Sequence, residues 1–528
     1  MRALTVLFGG HLASEAFEPL AGGGGKSALA LARERAAGFP GTEKTVLLAR
    51  EGEEYPGLPG GVSLARRPSW TKKGVLEELS RLSSGEGRAY DLTYFAWADC
   101  PLLDRALAGA LAERHIRYGA EYSYADGWPY GFAPELLAPG TAGVLFTILG
   151  EEDGPVERDC LFQAIQKDIN AFDIETEIAP VDLRQYRLNL QADSKRNLLL
   201  VSRFLEGACT AASGAAAFIQ AGQEVLRTLP AFYPVQVSGA CPQSCALCPW
   251  PAYKGGGDSE NSGFMGKERF GELLDRIAAF SGDGVIDLSL WGELSLHPDK
   301  MELIAMVLAR PALSLVIESS GLGWKRGDLE ALAAAAAAAP PRTNSLLASP
   351  LSWIISLDAW GEGRYRELRG PGFSEASECA RTLLSLFPKD AYVQAVRVKG
   401  GEDDIEGFYL SWRDLVPGKN AAQVIIQKYD DFCGALPNLK ASDLSPVKRR
   451  PCWHLMRDMN ILLDGRAPAC REDLGALKGE GDRPLLGNVF TSSLEEIWER
   501  GMALLREHCG GVYPGICAEC DEYYTYNF

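Results

Sequence analysis

The stretch Gly239-Ala240-Cys241-Pro242-Gln243-Ser244-Cys245-Ala246-Leu247-Cys248-Pro249-Trp250 sets three cysteines within eight residues, spaced C-x3-C-x2-C. The short apolar run 232–237 before it predicts a buried strand, so the cysteines sit on a loop leaving a strand end. Three thiolates this close in sequence can converge on one face of an iron–sulfur cube. No fourth thiolate lies in the loop, so one iron would keep a position open for an outside ligand. The competing readings are a zinc knuckle and three unrelated buried thiols. Zinc takes four ligands, usually from paired C-x2-C or Cys/His units, and no histidine lies near.

Composition narrows the setting. A chain of 528 residues has room for roughly two to four domains. The net charge of −17 argues against a nucleic-acid or anionic-membrane binder, since each needs a basic surface. Thirteen cysteines in a chain this long are not a secreted disulfide framework; with the tight motif they predict metal and a reducing, cytoplasmic setting. The apolar run 3–8 is too short for a signal peptide and reads as a first buried strand. No apolar run reaches eighteen residues, so no membrane-spanning helix is expected.

The cysteine loop, with apolar Leu247 before its last thiol, resembles the signature of the radical S-adenosylmethionine (SAM) enzymes. The resemblance implies a [4Fe-4S] cluster on Cys241, Cys245 and Cys248 whose open iron chelates SAM. It also implies reductive cleavage of SAM to a 5′-deoxyadenosyl radical, fed by a reductant such as flavodoxin or ferredoxin.

From 231 to 430, strands and helices alternate. Runs at 233–238, 284–291, 313–318, 353–357, 392–398 and 423–427 predict the six strands of an open (β/α)6 partial TIM barrel. Trp291-Gly292-Glu293-Leu294-Ser295-Leu296-His297-Pro298-Asp299 resembles the family's GGEPLLHPD motif, with Trp291 in place of the first glycine. There a small residue lets backbone approach SAM and a carboxylate accepts from its ammonium. Ser319 and Ser320 end the third strand where relatives carry Thr-Asn-Gly. Ser356, Asp358 and Arg369 match the segment after the fourth. The resemblance makes Ser356 and Asp358 lining residues for the SAM ribose or the substrate, and Arg369 a partner for SAM's carboxylate or a helix-surface ion pair. The alanine-rich 332–339 reads as an outer helix without chemistry. No catalytic residue proper is assigned.

Residues 431–528 hold six cysteines. Residues 459–463 and 466–470, joined at Asp464-Gly465, predict a hairpin, and Ser493 with Glu496 predicts a capping box opening a helix to about His508. The order PC, DG, C, GN, SL-x-E-I-W, C-x2-C resembles the SPASM/twitch domain of radical-SAM enzymes. It implies one auxiliary [4Fe-4S] cluster on Cys452, Cys470, Cys517 and Cys520, with Cys433 and Cys509 as spare thiols. A zinc ribbon on the same four is the competitor.

Residues 1–205 alternate strand runs (4–8, 45–48, 92–97, 143–148) with helical runs (29–37, 102–114), as a mainly parallel α/β domain does. Gly22 to Ser27 lacks the first glycine of a P-loop, since position 20 is Leu20. Ala98-Asp99-Cys100-Pro101-Leu102-Leu103-Asp104, then Asp126-Gly127-Trp128-Pro129-Tyr130-Gly131 with Glu135, then Tyr186 to Asp193, resemble three segments of spore-coat-polysaccharide-type cytidylyltransferases. Those enzymes use two carboxylates to hold a cation. Asp99 matches one and Gln191 stands at the other, so a degenerate nucleotidyltransferase-like domain is expected. Residues 206–230 read as a linker. The whole order resembles a spirochaete-associated SPASM family. It implies SAM chemistry on an unidentified peptide or small molecule; the alternatives are a bifunctional sugar cytidylyltransferase and a non-catalytic metal-binding scaffold.

Overall fold

The structure, a computed structural model, describes residues 1–56, 62–85, 88–151, 153–253, 263–478 and 485–525. It divides into two units, Met1–Leu226 and Arg227–Phe528.

In the first unit seven strands form one sheet: β1 (Ala3–Phe8), β2 (Thr42–Arg50), β3 (Val62–Arg67), β4 (Leu92–Trp97), β5 (Tyr122–Asp126), β6 (Glu135–Leu137) and β7 (Ile174–Ile178), in the order β3-β2-β1-β4-β6-β5-β7. β6 runs antiparallel to both neighbours and the other pairings are parallel. Every residue of β1 and β4 is buried, as the middle of a sheet covered on both faces requires. Residues 143–148, expected as a strand, belong instead to the helix Thr141–Ile148. Ala142, Leu145 and Leu149 are buried while Val144 and Phe146 stand in solvent, which is helical spacing. Packing against the helix Lys72–Ser83 overrides the run's strand character.

The expected linker also differs. Ala212, Ala215 and Ile219 are buried in one apolar cluster with Phe204 and Leu205, and Asp104 accepts from the backbone of Ala212 at 2.6 Å. Residues 206–226 are therefore packed structure of the first unit.

In the second unit β8 (Phe232–Pro234), β9 (Gly284–Asp287), β10 (Leu313–Ser319), β11 (Leu351–Ser356), β12 (Ala391–Arg397) and β13 (Val424–Lys428) pair in sequence order, all parallel, as a half-barrel. Helices alternate with them, Arg326–Ala338 carrying the alanine run. The open edge of β8 is covered by residues 458–463. Met459 donates to Phe232 (3.0 Å), Ile461 to Pro234 (2.9 Å), and Gln236 to Ile461 (2.9 Å). That edge takes the backbone groups the expected hairpin would have used. The turn at Asp464-Gly465 survives, but β14 (Arg466–Ala467) pairs with β15 (Gly487–Asn488).

The capping box at Ser493 and Glu496 is present, and its helix breaks into Leu494–Arg500 and Met502–Cys509 at Gly501. A Cβ on Gly501 would lie 2.7 Å from the guanidinium of Arg227. That buried guanidinium lies 3.5 Å over the Trp498 ring and donates to the carbonyls of Leu455 and Trp498. Among the described residues no helix is long and apolar enough to cross a membrane.

Candidate active site

The cysteine loop leaves β8 at the C-terminal end of the half-barrel, and two neighbouring loops dock on it. Gly292 has φ +81°, and a Cβ there would meet the carbonyl oxygen of Ser238 at 2.0 Å, so only glycine fits this approach. Glu293 then donates its N–H to Ala240 (2.8 Å), and Ala246 donates to Leu368 at the end of the helix Glu362–Arg369 (2.8 Å). Trp291 directly precedes this glycine. Its backbone turns to φ +52°, and its ring stacks on Trp250 at 6.2 Å and meets Phe432 at 5.5 Å, an apolar cover packed with Cys241 and Cys248.

A cavity of ≈ 250 Å³ opens here, lined by Cys241, Cys245, Cys248, Gly292, Glu293, Ser319, Ser320, Ser356, Asp358 and Arg369. Residues from four separate sequence segments thus meet in one place. Glu293 is buried and accepts from the Ser319 hydroxyl and the Ser320 N–H, each at 2.8 Å. Ser356 donates to Glu318 at 2.6 Å. Arg369 is not on a helix surface. Its side chain is 12 % exposed, pairs with Asp358, and reaches Gln243 Oε1 at 3.3 Å. Asp358 is itself fixed by the N–H of Val396 at 2.9 Å. Burial raises all three thiols, Cys248 to about 12, while Arg369 draws Cys245 back toward ionisation.

Cys452, Cys470, Cys517 and Cys520 form a second group whose thiols feel one another's charge. The N–H of Glu472 points at the sulfur of Cys470 (3.5 Å) and that of Glu522 at the sulfur of Cys520 (3.3 Å). Cys433, set aside in the sequence, hydrogen-bonds to Cys520; that bond raises Cys433 and lowers Cys520. Among the described residues, the metal-ligating side chains drawn within 4.8 Å of one another are Asp430, Asp431 and Asp521, and Lys440 bridges Asp431 (2.9 Å) and Asp521 (3.0 Å).

In the first unit Asp99 is fully buried, and Arg158 donates to both its oxygens at 2.8 and 2.7 Å and to Asp193 at 3.2 Å, lying 4.0 Å over the Trp97 ring. Asp193, two residues beyond Gln191, is thus the carboxylate that shares Arg158 with Asp99. Gln191 is buried, with its amide near the sulfur of Cys100 (3.8 Å). Asp126 pairs with Arg184, and Glu135 takes the Tyr122 hydroxyl. Lys26 of the glycine run is tied to Glu34. Sequence reasoning missed Arg158 because nothing local marks it; it reaches Asp99 across 59 positions.

No protein-family model matches the sequence. An uncharacterized protein of Treponema pallidum (strain Nichols) is 38% identical over 377 residues, covering 70% of this chain and 98% of that protein. Solved structures similar to parts of the chain include BtrN in complex with AdoMet and 2-DOIA (15% identity, TM-score 0.34, 54% of this chain and 89% of that one). Streptococcus suis SuiB bound to the precursor peptide SuiA is another (14%, 0.40, 64% and 76%). A third is a cytidylyltransferase from Leptospira borgpetersenii serovar Hardjo-bovis (strain JB197) (14%, 0.35, 42% and 95%).

Proposed function

The chain belongs to the family of the uncharacterized Treponema pallidum protein, and we propose that it is a radical-SAM enzyme acting on a peptide or small-molecule substrate. The observation that carries this reading is the single cavity that gathers Cys241, Cys245 and Cys248 with Glu293, Ser319, Ser320, Asp358 and Arg369 at the strand ends. The donor set suits the group: three soft thiols beside a cradle that admits only glycine at position 292. When bound, the [4Fe-4S] cluster and SAM supply a 5′-deoxyadenosyl radical on receiving one electron from a reductant such as flavodoxin or ferredoxin.

This chain's residues do the rest. Glu293 offers a carboxylate to an ammonium group, oriented by Ser319 and Ser320. Arg369, already neutralised by Asp358, offers remaining N–H donors to a carboxylate. Trp250, Trp291 and Phe432 give Cys241 and Cys248 an apolar wall. Cys452, Cys470, Cys517 and Cys520 would hold an auxiliary [4Fe-4S] cluster for electron relay.

We propose no nucleotide transfer by the first unit. The place a divalent cation would take beside Asp99 and Asp193 is filled by the Arg158 guanidinium, so these residues do not fit the ion.

Anaerobic reconstitution followed by reductive SAM cleavage is the test. Expected is 5′-deoxyadenosine from the wild type and none from Cys245→Ala; an iron-free, zinc-loaded protein that leaves SAM intact would return the scaffold reading.

A further inference from the structure

The chain carries a net charge of −17, yet one stretch of it is cationic. Between Asp443 and Asp458 lie Lys448, Arg449, Arg450 and Arg457 and no carboxylate. Lys448-Arg449-Arg450 is the one run of three consecutive cationic residues in the sequence, and it ends two residues before Cys452. An acidic protein is repelled by the chain as a whole, so a local cationic patch decides where it docks.

The fold lays this run on the auxiliary cysteines. Arg449 donates to the backbone carbonyls of Cys517 and of Ala518 (2.9 Å for the latter), and its guanidinium lies over the rings of Tyr513 (4.1 Å) and Tyr523 (4.7 Å). The carbonyl of Pro446 accepts from the Tyr523 hydroxyl at 3.2 Å. These contacts pin residues 446–449 against the segment that carries Cys517 and Cys520. The side chains between and beside them stand in solvent. Val447 is fully exposed, Leu444 is 62 % exposed, and Val512, next to Tyr513, is 57 % exposed. Lys448 is exposed and makes no ion pair among the described residues. Apolar side chains gathered beside cations, unlike single ones scattered over a surface, mark a contact face. Asp443 and Glu519 are exposed here too and temper the charge. That suits a small, transient contact, the kind electron-transfer proteins make.

We infer that this face docks an acidic one-electron carrier protein, a flavodoxin or ferredoxin, with its redox centre toward the Cys517–Cys520 segment. The inference rests on the radical-SAM reading for the need of an electron, while the place of docking rests on Leu444, Val447, Lys448 and Val512. With flavodoxin, one electron leaves the anionic flavin hydroquinone, which becomes the neutral semiquinone. It takes an auxiliary [4Fe-4S] group from the 2+ to the 1+ state; no bond forms or breaks and no proton moves. The cations orient the acidic carrier, and the aliphatic side chains supply the area that holds it.

The test sets a protein reductant against a small one on the reconstituted full chain. Reduced flavodoxin and dithionite each drive 5′-deoxyadenosine formation by the wild type, Lys448→Glu and Val447→Asp. Dithionite needs no docking face, so its rates are expected to be equal in all three. With flavodoxin below saturation, each variant is expected to fall by about fivefold or more, and added salt is expected to slow the wild type more than Lys448→Glu. In Cys245→Ala, flavodoxin is expected still to reduce the auxiliary group, more slowly once Lys448→Glu is added. Equal flavodoxin-driven rates in the three proteins overturn the inference, as does a loss of the same size with dithionite, which would make these residues structural. So does anionic phosphatidylglycerol vesicle binding at this face tighter than that of flavodoxin. Calorimetry with oxidised flavodoxin separates the two readings. Binding that Lys448→Glu weakens, in samples that never cleave SAM, upholds the docking face and refutes the proposed chemistry; cleavage with dithionite and no flavodoxin binding does the reverse.

Discussion

Arg158 grips Asp99 through both terminal nitrogens, at 2.8 and 2.7 Å, where a divalent cation would have to sit. The guanidinium supplies the positive charge the buried carboxylate needs, and Asp193 shares it at 3.2 Å. The full chain is expected to show no magnesium-dependent CTP binding by calorimetry. Arg158→Met would leave the carboxylates uncompensated, costing about 3 kcal/mol, and would open a cation site. Manganese EPR should then report an ion bound to the variant and none to the wild type. Magnesium-dependent CTP binding by the wild type would show the pocket to be live.

Gly292 predicts a local and sharp dependence. Any Cβ there collides with the Ser238 carbonyl, and φ +81° adds strain. Gly292→Ala should cost roughly 2 kcal/mol or more and lower 5′-deoxyadenosine yield, because the loop bearing Glu293 can no longer seat on the cysteine loop. A variant with wild-type melting temperature and yield would separate the two loops.

These sites differ in how far they could be read from residues alone. The C-x3-C-x2-C spacing and the Gly292-Glu293 pair are local patterns, and local patterns survive folding. The barrel strands were legible because both faces of a parallel sheet are buried, which leaves apolar stretches such as 315–317. Residues 143–148 misled because an apolar run of that length fits a strand or a helix, and only the packing partner decides. Residues 459–463 misled because the edge of β8 competes for the same backbone groups. Arg158 on Asp99, and Gln394 on Glu318, are tertiary pairings 59 and 76 positions apart with no local signature.

The auxiliary group yields a count. On the proposed two-cluster reading, replacing Cys517 and Cys520 together with alanine should lower iron per chain by about half, since one of two four-iron clusters would be lost. Cys433→Ala should leave the count unchanged, because Cys433 hydrogen-bonds to Cys520 and is not counted among the four ligands. A loss of iron in Cys433→Ala would place it among them, and unchanged iron in the double variant would refute the assignment.

The last prediction concerns pH. Glu135 on β6 is raised from 4.5 to about 7, mainly by burial, while the Tyr122 hydroxyl bond pulls the other way and Asp159 adds to the rise. Between those values the folded chain keeps a proton that the unfolded chain has released. Stability from this group is thus fully present below pH 4.5 and is lost as pH rises through about 7. Glu135→Gln keeps an acceptor for Tyr122 and removes the ionisation. It should change little at pH 4.5 and stabilise the protein at pH 8 by up to roughly 3 kcal/mol. Calorimetric melting of both proteins at the two pH values measures this. A gain equal at both would mean that Glu135 acts through packing and not through its proton.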